Sequence, residues 1–194
     1  MTAPLRLLVL CTRNSARSQM AEALFAAEGA ANIVVASAGS DPGPGVHPLA
    51  VEVLAEVGID WRGRPSRRID DVAHESWDAV ITVCDAARDA CPYLPGARAT
   101  AHWGLVDPAA VEGEHAVQLA AFRAAREHLH AAVLAFVAIP PASPALTEAS
   151  NTEALHTALA AGKRALDGAV AQANSPTSSS PSSTRYTDAL RPHL

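Results

Sequence analysis

Aromatic residues are scarce in this chain, and long apolar runs are absent. Phe, Trp and Tyr make up 4% of the 194 residues, although hydrophobic residues as a whole make up 49%. Such a chain can bury a core, but alanine and the aliphatic side chains must fill most of it. No apolar run approaches the roughly 20 residues that a membrane-spanning helix needs. No N-terminal segment combines a charged start with a cleavage site, so we expect a cytoplasmic protein without a membrane partner.

Positive charge is in the minority. The chain carries 15 Lys and Arg residues against 20 Asp and Glu, a formal net charge of -5 with histidine neutral. A protein that binds nucleic acid normally presents a basic face. We therefore expect no nucleic-acid partner, although an acidic chain can still hold one positively charged site.

Cysteine is rare, and its three positions are Cys11, Cys84 and Cys91. An odd, sparse set with no secretion signal is a poor framework for structural disulfides. Two alternatives remain for these residues, which are thiol chemistry and inert burial as small hydrophobic side chains. No zinc motif and no dinucleotide-binding fingerprint is found, so we expect no cofactor.

Apolar strand-like and helix-like segments alternate along residues 1–137. The predicted strands are 5–10, 32–37, 78–83 and 99–103, and the predicted helices are 18–30, 48–57 and 117–137. This alternation predicts an α/β fold with a single four-stranded parallel sheet flanked by helices. Cys11 and Cys84 each come directly after a predicted strand. Both should therefore open onto the same edge of the sheet, where ligands of such folds gather.

The character of the sequence changes after residue 137. Residues 139–151 are rich in proline and small residues, 152–173 show a thin stripe of leucine and valine, and 174–194 are of low complexity. We therefore predict a domain over residues 1–137 and a C-terminal extension over 138–194, with a linker, a possible helix and a disordered tail.

The segment between the first strand and the first helix has the features of an anion site. Five small or polar residues separate Cys11 from Arg17, and the whole loop comprises Thr12, Arg13, Asn14, Ser15, Ala16, Arg17 and Ser18. Backbone N–H groups in such a loop, and at the start of the helix after it, converge on an anion. The guanidinium adds a planar fork that matches a tetrahedral oxyanion. The same field favours thiolate over thiol at Cys11, which makes this residue a candidate nucleophile.

Three stretches of the chain resemble a known family. "CTRNSARSQMAE", "VITVCDAARDACPYLPG" and "AHWGLVDPAA" are similar to the thioredoxin-coupled arsenate reductases of the low-molecular-weight phosphotyrosine phosphatase superfamily. The resemblance spans roughly residues 5–137 and places all three cysteines on the family's redox positions. It implies that Cys11 is the nucleophile, that Arg17 binds the oxyanion and that Cys84 and Cys91 pass on the oxidation. Asp107, in the Asp-Pro pair, would be the general acid, whereas the alternative is a residue that only stabilises a helix N-terminus.

The resemblance implies reduction of arsenate to arsenite with thioredoxin as the reductant, and mycothiol or a glutaredoxin is an alternative donor. In a helix, cysteines seven residues apart lie about 10 Å from each other. A disulfide cannot span that distance, so the segment from Cys84 to Cys91 would have to unwind. The principal alternative activity is a phosphatase of the same fold, although "DPAAVEG" offers no aromatic residue to hold a phenolic substrate. A non-catalytic oxyanion-binding module is a third reading.

Several positions depart from the family pattern. Ala16 stands where many members have a further loop cysteine, and Arg13 replaces a common glycine. Some members hold a potassium ion beside the loop. Its implied ligands match at Asn14, Glu22 and Ser37, whereas the family's threonine and aspartate positions are Pro65 and Arg67. We therefore predict no metal site and hypothesise that the guanidinium of Arg67 fills that space.

Overall fold

A computed structural model describes residues 4–29, 32–90, 97–139 and 148–175. Cys91, the proline- and glycine-rich residues that follow it and the low-complexity tail beyond residue 175 lie outside the described residues. The described elements, in chain order, are β1 (Leu5–Cys11), α1 (Arg17–Glu28), β2 (Ile33–Gly39), α2 (Pro48–Ala55), α3 (Ile69–Val72), β3 (Ala79–Thr82), α4 (Asp85–Ala90), β4 (Ala99–His102), a 3-10 turn (Pro108–Ala110), α5 (His115–Val137) and α6 (Glu148–Ala173).

The four strands form one parallel sheet in the order β2-β1-β3-β4, which confirms the predicted fold class. Strand β1 lies in the interior of the sheet and pairs with β2 on one side and β3 on the other. A central parallel strand is buried on both faces, and this burial explains the apolar run of residues 7–10 before Cys11. The register pairs Cys11 with Gly39 of β2 and Leu10 with Thr82 of β3.

Successive side chains of β1 enter different cores, because neighbouring residues of a strand point to opposite faces of the sheet. Leu7, Val9 and Cys11 belong to the larger core, which also contains buried residues of α1, α2, α5 and α6. Leu8 and Leu10 belong to a smaller core on the other face, with residues of β2, α3 and β3. The side chain of Cys11 is therefore on the same face as α1, the helix that begins after its loop.

The observed elements differ from the predicted ones mainly at their ends. Helix α1 ends at Glu28, α2 ends at Ala55 and α5 begins at His115. Helix α3, which has four residues, was not predicted, because so short an element shows no helical period in the sequence. Within the described residues, no helix is both long and apolar enough to cross a membrane.

Helix α6 packs on the α/β unit. It begins at Glu148, four residues before the predicted start, and ends at the predicted residue Ala173. Its buried residues Leu155, Leu159 and Leu166 belong to the larger core, and the helix contacts α5 and β4. The division of the chain into a domain and an extension at residue 137 stays a prediction.

Gly39, the last residue of β2, touches the loop after Cys11. A Cβ atom at this position would lie 2.4 Å from the carbonyl oxygen of Thr12 and 2.9 Å from the backbone nitrogen of Asn14. Because both neighbours are backbone atoms, we expect Gly39→Ala to lower the free energy of unfolding by about 1–3 kcal/mol. Urea unfolding measures this change, and alkylation of Cys11 by iodoacetamide should also change in rate.

The matched control is Gly43→Ala. At Gly43 the nearest atom to an added Cβ is 3.7 Å away, which is an ordinary contact. We expect a change within about 0.5 kcal/mol for this variant. Equal stabilities of the two variants would contradict the close approach at Gly39.

Candidate functional site

Cys11 lies at the carboxyl end of β1, and two polar groups of the loop contact its sulfur. The residue is 3% exposed. The backbone N–H of Asn14 donates to its Sγ at 3.1 Å, and the hydroxyl of Ser18 lies 2.9 Å from the same atom. The Oγ of Ser18 already accepts a hydrogen bond from Nδ2 of Asn14 at 2.9 Å. Its own proton is therefore free to point at the sulfur, which can accept from both Asn14 and Ser18.

Asn14 gives the loop its shape. It is the one residue other than glycine with positive φ among those that the structure describes, with a value of 46°. Asparagine tolerates this left-handed conformation better than most residues do. Its buried side chain donates to Ser37 at 2.7 Å and accepts from the backbone N–H of Arg67 at 2.8 Å. The hydroxyl of Ser66 donates to its carbonyl oxygen at 2.7 Å. The segment around residues 66 and 67 thus clamps the turn.

Arg67 and Glu22 form a partly buried ion pair next to Asn14. The guanidinium of Arg67 donates to both carboxylate oxygens of Glu22, at 2.8 and 2.9 Å. Ser37 donates to the same carboxylate at 2.5 Å. Glu22 is only 6% exposed, so its charge needs a partner in the fold. With two carboxylate oxygens bound by a guanidinium, this group of residues does not fit a potassium ion.

Arg17 and Asp107 come together from distant parts of the sequence. Arg17 opens α1, and its guanidinium donates to Oδ2 of Asp107 at 2.6 Å and to the carbonyl oxygen of Leu105 at 2.8 Å. The other carboxylate oxygen of Asp107 accepts from the backbone N–H of Ala109 at 3.1 Å. Asp107 therefore caps the 3-10 turn and also faces Arg17, so both of its predicted roles are compatible with the geometry.

Cys84 lies two residues after the end of β3, and its sulfur lies beside the Cys11 loop. The residue is 5% exposed, and its Sγ is 3.5 Å from the hydroxyl of Thr12. The backbone N–H of Ala87, in the first turn of α4, donates to the same sulfur at 3.4 Å. The described residues thus bring Cys11 and Cys84 to one edge of the sheet, both as free thiols. Nothing is described for Cys91.

The remaining loop residues differ in their surroundings. Arg13 is exposed and lies 3.8 Å from Asp41, and its φ is negative although it replaces a common glycine. Ala16 is buried and joins the larger core. Ser15 accepts a hydrogen bond through its carbonyl oxygen from the backbone N–H of His47 at 2.8 Å.

His47 is a residue at the site that the sequence analysis missed. Its Nδ1 accepts from the backbone N–H of Leu49 at 3.2 Å, and its ring stacks on Phe122 with centroids 4.7 Å apart. Burial lowers the pKa of His47, and the negative charge of Asp107 opposes that change. The lowered pKa favours the neutral imidazole, and since Nδ1 accepts from Leu49, the neutral ring carries its proton on Nε2. The proline after it, at the start of α2, was the available signal for a helix cap at this position.

No group of three or more His, Cys, Asp or Glu side chains in the described part of the chain could hold a metal ion. What the site combines is a nucleophilic sulfur, a guanidinium, the N-terminus of a twelve-residue helix, a carboxyl group and a second thiol. The first three can bind and attack an oxyanion, and the carboxyl group can donate a proton to a leaving group.

Comparison with known proteins identifies the family. The family model of the low molecular weight phosphotyrosine protein phosphatase matches residues 6–139. The arsenate reductase of Halalkalibacterium halodurans is 40% identical over 120 residues, which are 62% of this chain and 86% of that protein. A solved arsenate reductase in the phosphate-binding state is 32% identical with a TM-score of 0.60, over 69% of this chain and 97% of the other.

A solved arsenate reductase in the oxidized state is also 32% identical, with a TM-score of 0.59, over 69% of this chain and 96% of the other. The family match covers all four strands, the loop after Cys11 and the Asp107 segment, and it ends two residues after α5. The chain therefore belongs to the low molecular weight phosphotyrosine protein phosphatase family, and within that family it is similar to the arsenate reductases.

Proposed function

We propose that this chain reduces arsenate to arsenite and that Cys11, Cys84 and Cys91 carry the electrons. The observation that carries the proposal is the position of Cys84, whose buried sulfur lies 3.5 Å from Thr12, the residue after the nucleophile. A phosphatase of this fold needs a nucleophile, an arginine and an acid, but no second thiol. A reductase needs a sulfur that can attack another sulfur, and the similarity to arsenate reductases supports this reading.

In the first step, the oxyanion binds to Arg17 and to N–H groups of the loop other than that of Asn14, which donates to Cys11, at the positive end of α1. The thiolate of Cys11 attacks the arsenic atom, and an As–S bond forms. The As–O bond to one hydroxyl group of arsenate breaks, and this hydroxyl leaves as water with a proton from Asp107. The acid is needed because hydroxide is a poor leaving group.

In the second step, the thiolate of Cys84 attacks Sγ of Cys11. The S–S bond forms while the As–S bond breaks, and its electron pair stays on arsenic. As(V) thereby becomes As(III), and arsenite leaves. The two electrons come from the two thiolates, which are now a disulfide.

In the third step, Cys91 attacks Cys84 and expels the thiolate of Cys11, which is then ready for another cycle. The oxidation resides in a Cys84–Cys91 disulfide, and we propose that the dithiol of thioredoxin reduces it. Cys84 sits at the start of α4, a helix of only six residues. Helices of this length are marginal on their own, so unwinding is cheap in free energy. Because the cycle starts from free thiols, it requires a reducing compartment, and a cytoplasmic location is part of the proposal.

The cysteine variants test the relay. In Cys91→Ser, arsenite should form once per protein molecule, because the Cys11–Cys84 disulfide then has no partner thiol. In Cys84→Ser and Cys11→Ser, no arsenite should form. The measurements are quenched-flow detection of arsenite and NADPH consumption with thioredoxin and thioredoxin reductase, each with and without arsenate. Sustained turnover by Cys91→Ser would contradict its role.

The reductant is tested in separate arms of the same assay. Thioredoxin, a glutaredoxin with glutathione, and mycothiol are each supplied with their own reductase, at equal reducing capacity. We expect thioredoxin to give the largest kcat/KM. Faster turnover with either of the other donors would remove thioredoxin from the proposal but leave the three-cysteine relay in place.

A second candidate activity is hydrolysis of aryl phosphates. It is favoured by the contact of Arg17 with Asp107 at 2.6 Å, because with Cys11 these two residues are sufficient for hydrolysis through a phosphocysteine intermediate. Against it, Ala109 and Ala110 of the 3-10 turn are exposed and give a phenolic ring no aromatic partner. Activity on p-nitrophenyl phosphate that persists in Cys84→Ser, in a protein that forms no arsenite from arsenate, would favour the phosphatase.

We also propose that Arg67 makes a bound potassium ion unnecessary. Replacing sodium with potassium at constant ionic strength should leave the kcat/KM of the natural chain and its Tm unchanged. Arg67→Met should lower the free energy of unfolding by about 1–3 kcal/mol, because the buried carboxylate of Glu22 loses its ion pair. The partial exposure of Arg67 limits this loss. Steady-state kinetics measure kcat/KM, thermal unfolding measures Tm, and urea unfolding measures the free energy of unfolding.

The control for Arg67 is Arg62→Met, which removes an exposed positive charge from the same loop, where the side chain is 79% exposed. We expect a change within about 0.5 kcal/mol. The double variant Arg67→Met, Glu22→Gln should recover part of the lost stability. A gain in rate or stability of the natural chain on adding potassium would count against the proposal.

A further inference from the structure

Trp103 stands at the head of the segment that leads from β4 to the acid. The residue is fully buried. Its backbone N–H donates to the carbonyl oxygen of Thr82 at 2.8 Å, and the N–H of Leu105 donates to that of Val83 at 3.2 Å. The backbone of residues 103–105 therefore continues alongside the end of β3. Any displacement of the indole must be transmitted to this short segment or to its neighbours.

Helix α6 holds the indole from the outside. Nε1 of Trp103 donates to the carbonyl oxygen of Leu159 at 3.1 Å. A Cβ atom on Gly162 would lie 2.2 Å from Cζ2 and 2.6 Å from Cη2 of the indole. Helix and ring are thus so close that only glycine fits at this position.

The other faces of the indole are covered by the helices of the α/β unit. The ring lies 5.9 Å from Phe25 of α1 and 6.2 Å from Phe136 of α5, measured between centroids. The indole has no space to retreat without displacing these aromatic rings, because packed interiors have few voids. A methyl group added on α6 must therefore shift these rings or the backbone of residues 103–107, which bears the indole.

The far end of the same segment bears the groups that meet Arg17. The carbonyl oxygen of Leu105 accepts from the guanidinium at 2.8 Å, and the carboxylate of Asp107 accepts at 2.6 Å. Leu105 is two residues from Trp103, and Asp107 is four. Misplacement of a reacting group by about 1 Å can reduce a rate by about 100-fold.

We propose that α6 is a positioning element for the site, and that Leu159 and Gly162 act through Trp103 to set Leu105 and Asp107 against Arg17. The family match ends at residue 139, so this helix lies beyond the part of the chain that the family shares. The inference rests on the proposed function, since it assigns Arg17 and Asp107 to oxyanion binding and proton donation. None of the α6 residues touches the oxyanion.

The test compares two glycines of the same helix. Gly162→Ala pushes a methyl group into the indole, whereas Gly168→Ala meets no atom within 4 Å. Both changes favour the helix to the same degree, so that effect cancels in the comparison. We expect Gly162→Ala to lower kcat/KM for arsenate by about 10- to 100-fold. Gly168→Ala should stay within about twofold of the natural chain.

Two further readouts separate positioning from a general loosening of the fold. The rate of alkylation of Cys11 by iodoacetamide without phosphate should remain similar in the two variants, because the hydrogen bonds to this sulfur come from Asn14 and Ser18 rather than from Arg17. Protection of Cys11 by inorganic phosphate should weaken in Gly162→Ala alone, because Arg17 loses its place. Equal kinetics and equal protection in the two variants would overturn the proposal.

A second pair of variants covers the case in which Gly162→Ala does not fold. Trp103→Phe removes the hydrogen bond to Leu159. Its control is Trp77→Phe, whose indole is also buried and donates to the carbonyl oxygen of Val72 at 2.9 Å, but in the smaller core. Turnover and phosphate protection should fall in Trp103→Phe only, and equal values in the two would also overturn the proposal. If the natural chain forms no arsenite, the proposed function fails, but phosphate protection still tests the role of α6.

Discussion

The pairing of β1 with β3 is the constraint on which the site depends. Because the strands are parallel and adjacent, their carboxyl ends meet at one edge, where Cys11 ends β1 and Cys84 lies two residues past β3. The ladder continues past the strands, where the N–H of Val83 donates to the carbonyl oxygen of Leu10 at 2.9 Å. This bond fixes the position of Cys84 along the strand direction relative to Cys11. A register slip of one residue would turn the side chain of Cys11 to the opposite face, away from α1.

The loop after Cys11 is held by charge and hydrogen bonds rather than by apolar packing. A left-handed residue other than glycine costs of the order of 1 kcal/mol or more, so the turn at Asn14 needs compensation. Asn14 obtains it from Ser37, Ser66 and the backbone of Arg67. Ser37 in turn donates to the carboxylate of Glu22, and the guanidinium of Arg67 forms an ion pair with the same carboxylate. The chain thus supplies its own cation behind the nucleophile.

The sequence predicted those parts of the structure that depend on local pattern. The run before Cys11, the loop between the first strand and the first helix and the alternation of strands and helices all have short-range signatures, and each is found where it was expected. Sequence could not reveal the contact between Arg17 and Asp107, because 90 positions separate the two residues. His47 was missed for a related reason, since its neighbours in space are Ser15 and Phe122. The approach of Gly162 to an indole is likewise invisible without coordinates.

The end of β4 separates a part of the site with exposed, weak contacts from a part that is buried. The imidazole of His102 lies 3.0 Å from the carboxylate of Asp85, in the first turn of α4. Asp85 also pairs with Arg88 at 3.2 Å, and the two side chains are 76% and 51% exposed. These exposed contacts are weak, so α4 can unwind at little cost in free energy. The next residue after His102 is Trp103, which is buried among three helices. A sulfur relay can therefore rearrange one side of the site while the carboxyl group on the other side keeps its distance from the guanidinium.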